Sequence, residues 1–138
     1  MRIEIPADKT FVHETIIPLR WGDMDAYGHL NNTSYFLYVQ EARFELLRAY
    51  DLDYSASADN APILLDTSFN FKKQVTYPET ILIETYLVNI DRKKVYIEQI
   101  MKSANDLDIV YGTCTSLIMW YDFKNKVTVM PPEVIHHL

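Results

Sequence analysis

Apolar and polar positions first alternate over Phe11–Trp21, with Phe11, Thr15, Ile17, Leu19 and Trp21 on one face and Glu14 and Arg20 on the other. A period of two predicts a strand, and Pro18, having no amide to give a ladder, marks an edge or a bulge. A polar loop follows, Gly22-Asp-Met-Asp-Ala-Tyr-Gly-His-Leu-Asn31. The period then changes. Across Asn32–Tyr50, free of glycine and proline, Tyr35, Tyr38, Val39, Ala42, Leu46, Ala49 and Tyr50 recur at steps of three and four, the face of a long helix. Asn32 or Thr33 is expected to cap it through a side-chain oxygen. Phe36, Leu37, Phe44 and Leu47 widen the apolar surface beyond a stripe, so other structure should wrap this helix. At about 1.5–3 kcal/mol per large side chain buried, it is the largest block of core energy in the chain.

After the helix the period returns to two. Ile63, Leu65, Thr67, Phe69 and Phe71 alternate with Leu64, Asp66, Ser68, Asn70 and Lys72. Further strands are predicted over Thr80–Ile90, Val95–Met101, Ile109–Tyr121 and Val127–Met130, joined by turns at Asp91–Lys94, Ser103–Asp106 and Phe123–Lys126. A strand, one long helix, then consecutive strands on short links mean an α+β fold, an antiparallel sheet with the helix on one face. Parallel crossovers would need more helices than these.

With 138 residues, no internal repeat and no linker, the chain is expected to form a single domain, 1–138. A composition of 49% hydrophobic and 23% charged residues is ordinary globular usage. A net charge of −6 argues against nucleic acid as the main partner but leaves room for a local basic patch toward a small phosphorylated ligand. No apolar run is long enough for a membrane span, and Met1–Pro6 lacks the apolar core of a signal peptide. The single cysteine, Cys114, reads as a small buried hydrophobe, and a cytoplasmic, reducing compartment is the simplest expectation. No metal is implied, because the His136-His137 pair stands alone in what looks like a tail.

The loop before the helix carries the candidate chemistry. A helix N-terminus offers unpaired amides and the positive end of a dipole, which can polarise a carbonyl. One well-placed donor to an oxyanion is worth roughly 3 kcal/mol. A carboxylate beside it, Asp23 or Asp25, can attack the carbonyl or activate water. The bland alternative is an Asp-rich loop closed on its own amides. The residues alone leave both open.

Here the chain resembles a known family. Arg20-Trp-Gly-Asp-Met-Asp-Ala-Tyr-Gly-His-Leu-Asn-Asn32, followed by Tyr35 and Glu41-Ala-Arg43, is similar to the motif of hotdog-fold acyl-CoA thioesterases, nearest the 4-hydroxybenzoyl-CoA thioesterase branch. A version of the motif also occurs in plant acyl-ACP thioesterases. The resemblance implies an antiparallel sheet of five or six strands wrapped around one central helix, and a homodimer or homotetramer with its site at the subunit boundary. It implies hydrolysis of an acyl-CoA or acyl-ACP thioester, with no cofactor beyond the CoA of the substrate. Asp25 matches the family's nucleophile or general base, and Asn32 the position whose amide opens the helix as an oxyanion donor. The family often has Tyr or His at the place of Asn32, and the Tyr77-Pro78-Glu79 turn lacks a glycine often found there. Arg92, Lys93 and Lys94 match a basic turn that meets the CoA phosphates, though basic turns are also commonly just solvated. His29 either touches substrate or water or simply bonds the loop. Asp23 is expected to bond loop amides, and Glu41 to pair with a nearby arginine. Two other readings remain: a hydratase or dehydratase, for which His29 is the one candidate base, and a non-catalytic acyl-CoA- or acyl-ACP-binding protein.

Overall fold

The computed structural model describes residues 9–52, 55 and 57–138; the Met1–Pro6 segment, on which the signal-peptide expectation rested, lies outside them. Strand β1 (Thr10–Pro18) is followed by a short 3-10 turn (Trp21–Asp23) and the helix α1 (Ser34–Ala49). Then come β2 (Asn60–Phe71), β3 (Thr80–Asp91), β4 (Lys94–Ser103), β5 (Val110–Asp122) and β6 (Val127–Val129). All pairings are antiparallel, in the order β1-β3-β4-β5-β2, and β6 extends the sheet beside the end of β5. One helix against a six-stranded antiparallel sheet is the hotdog architecture that the loop motif implied.

The inward face of α1 follows the expected period over its first half, where Tyr35, Tyr38, Val39 and Ala42 are buried; in the second half Leu47 is the buried residue, Leu46 and Tyr50 are half-buried, and Ala49, expected on that face, is exposed. The core they meet has two parts. Around the first half of the helix lie Ile17, Leu30, Val75, Ile83, Met101 and Cys114; around the second half lie Val95, Ile97, Ile118, Trp120 and Ile135. A polar seam separates them. The buried Gln99 donates to the Val39 carbonyl (2.9 Å) and to Thr85 Oγ1 (3.3 Å), and accepts from Arg43 Nη1 (3.3 Å). Polar groups can be buried there because each finds a partner.

Four expectations need correction. A bulge between Phe11 and His13 shifts the phase of β1, so Val12 turns inward while Phe11 is exposed. Trp21, expected on the inner face, lies beyond the strand and is 75% exposed. A second irregularity, between Leu64 and Asp66, leaves Leu64 and Leu65 both exposed on β2. In keeping with an apolar surface too wide for the strands of one chain to cover, the helix keeps Leu37 and Phe44 exposed. Finally, the His136-His137 segment is no loose tail: Glu133–His137 form a 3-10 turn whose Ile135 is buried in the second core cluster.

Candidate active site

The Gly22–Asn32 loop is held by both of its aspartates, and the carboxylate of Asp23 has partners other than those expected. Asp23, expected to bond loop amides, instead accepts the hydroxyl proton of Tyr38 at its Oδ2 (2.7 Å) and the Arg20 Nε–H (3.1 Å). Tyr38 Oη in turn accepts from the Arg20 amide (3.0 Å), and Arg20 lies over the Tyr38 ring. Arg20 also pairs with Glu41 (3.5 Å), the structural pairing expected of that glutamate. This network ties the loop to the buried face of α1.

Asp25 is the residue that organises the loop amides. Its Oδ1 accepts from the amides of Tyr27 (2.8 Å) and His29 (3.2 Å). Its backbone closes the same turn, its amide donating to the His29 carbonyl (2.7 Å) and its carbonyl accepting from Gly28 (3.1 Å). Gly28 sits at φ +80°, a conformation glycine adopts without steric cost. Both side-chain bonds fall on Oδ1, and Oδ2 has no hydrogen-bond partner among the described residues.

The start of the helix is capped by a residue other than the two expected. Thr33 is at the N-cap position but makes no side-chain cap; Asn31 Oδ1 instead accepts from the Thr33 amide (3.1 Å) and hydroxyl (2.9 Å). The Asn31 carbonyl takes the Ser34 amide (2.8 Å). Among the described residues, every amide from Tyr27 to Ser34 is bonded within the chain except that of Asn32. Close to a helix N-terminus, an amide without a partner is a donor waiting for an acceptor.

Asp25, His29 and Asn32 line one cleft of about 320 Å³, together with Tyr35, Phe71, Lys72 and Lys73. The last four were not singled out from sequence as site residues. Tyr35 read as helix core, while Lys72 and Lys73 reach the loop only because β2 folds back on it; both their amides donate to the Tyr111 carbonyl (2.9 and 3.1 Å). The Tyr35 ring packs edge-on against Phe71 (5.0 Å between centroids). Burial, with a smaller contribution from the Asp25 charge, raises the pKa of its hydroxyl.

The basic turn lies elsewhere. β3 starts beside the loop, where the Leu19 amide bonds the Glu79 carbonyl (2.9 Å), and carries the chain over 12 residues to the opposite end of the sheet. At about 3.3 Å per residue that is roughly 40 Å. Arg92 occupies the left-handed turn position (φ +57°), and Lys93 Nζ donates to the Thr128 carbonyl (3.0 Å), pinning β6. Within the chain Arg92, Lys93 and Lys94 are therefore not brought to Asp25. No group of three or more His, Cys, Asp or Glu side chains that could hold a metal ion occurs among the described residues, and no helix among them is long and apolar enough to cross a membrane.

Comparison with known proteins points one way. A model of the Thioesterase-like superfamily matches residues 19–138. A candidate thioesterase of Pseudomonas aeruginosa superposes with a TM-score of 0.89 at 30% identity, covering 93% of this chain and 98% of that one. A candidate acyl-CoA thioesterase of Xanthomonas campestris superposes at 0.75 and 26% identity, covering 83% and 96%. A DHNA-CoA thioesterase of Staphylococcus aureus shares the fold alone, at a TM-score of 0.75 and 16% identity over 85% of this chain and 78% of that one.

Proposed function

The chain belongs to the Thioesterase-like superfamily, and from that premise we propose that it hydrolyses an acyl-CoA thioester at the Asp25 cleft. The observation that carries the reading is the pairing, in one cleft, of a carboxylate oriented by two amides with an unpartnered Asn32 amide at the helix start. Asp25 Oδ2 attacks the thioester carbonyl or draws the proton from a water that does. The Asn32 amide, aided by the helix dipole, takes the developing oxyanion, the arrangement that lowers acyl-transfer barriers most. The C–S bond then breaks, releasing the CoA thiol and, after water has added, a carboxylic acid. His29 lines the same cleft, where it contacts substrate or water. The Asn32 side chain is not required in this scheme; its backbone amide is. CoA enters only as the leaving group, and no further cofactor takes part. Buried Cys114, unpaired, fits a reducing cytoplasmic setting.

The active form in this reading is a homodimer joined along β2. That strand is an unpaired sheet edge of 12 residues with Leu65 50% exposed, an arrangement that invites a partner strand. A two-fold axis between two β2 edges would align the partner's β2 start with this chain's β2 end, beside Asp25. It would also bring the partner's Arg92–Lys94 turn to the Asp25 end of the molecule, where it can meet the CoA phosphates. Thiol release measured across a panel of acyl-CoAs and acyl-ACPs tests the proposal. Turnover of acyl-CoA that disappears in Asp25→Asn is expected; a folded wild-type protein that binds but never hydrolyses any of them overturns it.

A further inference from the structure

A second cavity, of about 250 Å³, lies under the far half of α1, away from the Asp25 cleft. Its walls are almost wholly apolar, with Phe44, Leu47, Ile63, Ile97, Trp120 and Leu138 among them. The exceptions are Gln40 and Arg43. Arg43 Nη1 donates to Gln99 Oε1 (3.3 Å), a neutral acceptor already bonded into the polar seam. Among the described residues no carboxylate pairs with Arg43, and burial pulls the pKa of its guanidinium down. A partly desolvated cation without a counter-ion is costly, and an anion from outside the chain would relieve that cost.

We propose that this cavity binds a medium-length aliphatic carboxylate, its chain against the apolar walls and its carboxylate on Arg43. The planar fork of a guanidinium matches a carboxylate in two-point contact. A single cation in apolar surroundings suits a monoanion; a phosphate would bring more charge than one arginine compensates. At about 30 Å³ per heavy atom the space takes roughly eight such atoms, so an acid of six carbons fits together with its carboxylate, and one of eight fills it with the carbon chain alone, its two oxygens at the Arg43 edge. Two sources present this chemistry: the acid released by hydrolysis, and the far end of an acyl group that carries a second carboxyl. Choosing between them rests on the thioesterase reading, whereas the binding itself does not.

Trp120 lines the cavity and is buried, while the chain's other tryptophan, Trp21, is exposed. In a Trp21→Phe background, fluorescence therefore reports the cavity directly. Titration with octanoate should change Trp120 emission saturably, with binding at least about tenfold tighter than that of octan-1-ol, since hydrogen bonds to charged groups are the stronger ones. Arg43→Met, matched in chain length, should erase that preference while still admitting the alcohol, and Arg43→Lys should keep part of it. Equal binding of octanoate and octanol by the wild type overturns the proposal even if Arg43→Met does not fold. So does unchanged octanoate binding in a folded Arg43→Met protein. A lower KM for the mono-CoA thioester of octanedioic acid than for octanoyl-CoA identifies the substrate's far end as the ligand. Competitive inhibition by octanoate without that preference identifies the released acid. Either supports the site, and failure of octanoate to bind removes it whatever the hydrolysis assays show.

Discussion

Asp25 holds the loop and, in the proposed reaction, does the chemistry, and two substitutions separate these roles. Asparagine keeps an Oδ1 carbonyl able to accept from the Tyr27 and His29 amides, but it can neither attack as a carboxylate nor take a proton. Alanine removes both roles. Hydrogen bonds to a charged acceptor contribute about 1.5–3 kcal/mol each when well buried. The Asp25 site is partly buried and partly open to water, so solvent screening brings the pair to about 2 kcal/mol together. For a chain of this size about 1 kcal/mol shifts Tm by roughly 4 °C. Asp25→Ala should therefore melt about 8 °C lower than wild type, and Asp25→Asn within about 3 °C of it. In thiol-release assays on an acyl-CoA both should lose at least about 10²-fold in kcat, the usual lower reach of acid–base catalysis. Scanning calorimetry with kinetics on the same preparations measures both quantities. Asp25→Asn with near-wild-type turnover would falsify a catalytic carboxylate. An Asn variant as unstable as the Ala variant would refute the assignment of the two amide bonds to a retained acceptor.

Arg92→Glu or Lys94→Glu should raise KM for acyl-CoA severalfold with kcat unchanged, because a contact remote from the carbonyl binds ground and transition states equally; thioesters lacking the nucleotide should be unaffected, and equal losses on both would reduce the turn to a folding role. Gly112→Ala should destabilise the fold by about 1–3 kcal/mol in denaturant titration, since its Cβ would sit 2.4 Å from Phe69 Cε1 and 2.6 Å from the Asn70 carbonyl; no loss of stability would show that β2 and β5 can separate there freely. Burial alone would raise the Glu79 carboxyl, but donors from Tyr111, the Thr80 amide, Ser103 and Asn105 outweigh it and hold its pKa below the ordinary carboxylate value. Its stabilisation is thus present above the unfolded value of about 4.3 and lost as pH falls through the lower folded one. Urea midpoints of wild type and Glu79→Gln should accordingly converge below about pH 4, and a constant gap down to pH 2 would contradict this. Leu65→Lys on the β2 edge should yield monomers by light scattering, inactive though folded, and a fully active monomer would confine the site to one chain.

What the sequence revealed, and what it hid, follows from the range over which each feature is determined. The helix was legible because its buried face repeats within the segment itself, and the strands because short turns bracket clean alternations. The inward turn of Val12 was not, since a bulge adds one residue without any mark in composition. The cap was ambiguous for a related reason: Asn31, Asn32, Thr33 and Ser34 can all accept an amide, and only the path of the loop selects Asn31. Asp25 and Asn32 were singled out through the motif, and the structure adds that both line one cleft, with one carboxylate oxygen and one amide left unbonded there. Lys72 and Lys73 could not have been found locally, because they come to the cleft from a strand that begins after the helix has ended. The distance of the basic turn from Asp25, by contrast, was implicit in the predicted topology. A single strand, β3, separates the loop's end of the sheet from the turn, so the two must lie at opposite ends.

That separation makes the free β2 edge a functional matter as well as a structural one. The chain carries the Asp25 cleft at one end and, at the other, a basic turn and an apolar cavity lined in part by Pro62, Ile63 and Leu64 near the start of β2. Neither end suffices for a substrate with an acyl chain on one side of its thioester and a nucleotide on the other. In the proposed dimer, two antiparallel β2 strands related by a two-fold axis would place the start of one against the end of the other, and so set the partner's cavity and turn at the end that holds Asp25. The exposed apolar residues agree in position. Leu64 and Leu65 lie on that edge and Phe44 lies on the helix at the cavity wall, so the surface that needs covering and the surface that needs completing are the same one. In the proposed dimer, burying it would stabilise the assembly and bring the two halves of the site together in a single step, which would tie hydrolysis to dimerisation through the geometry of one strand.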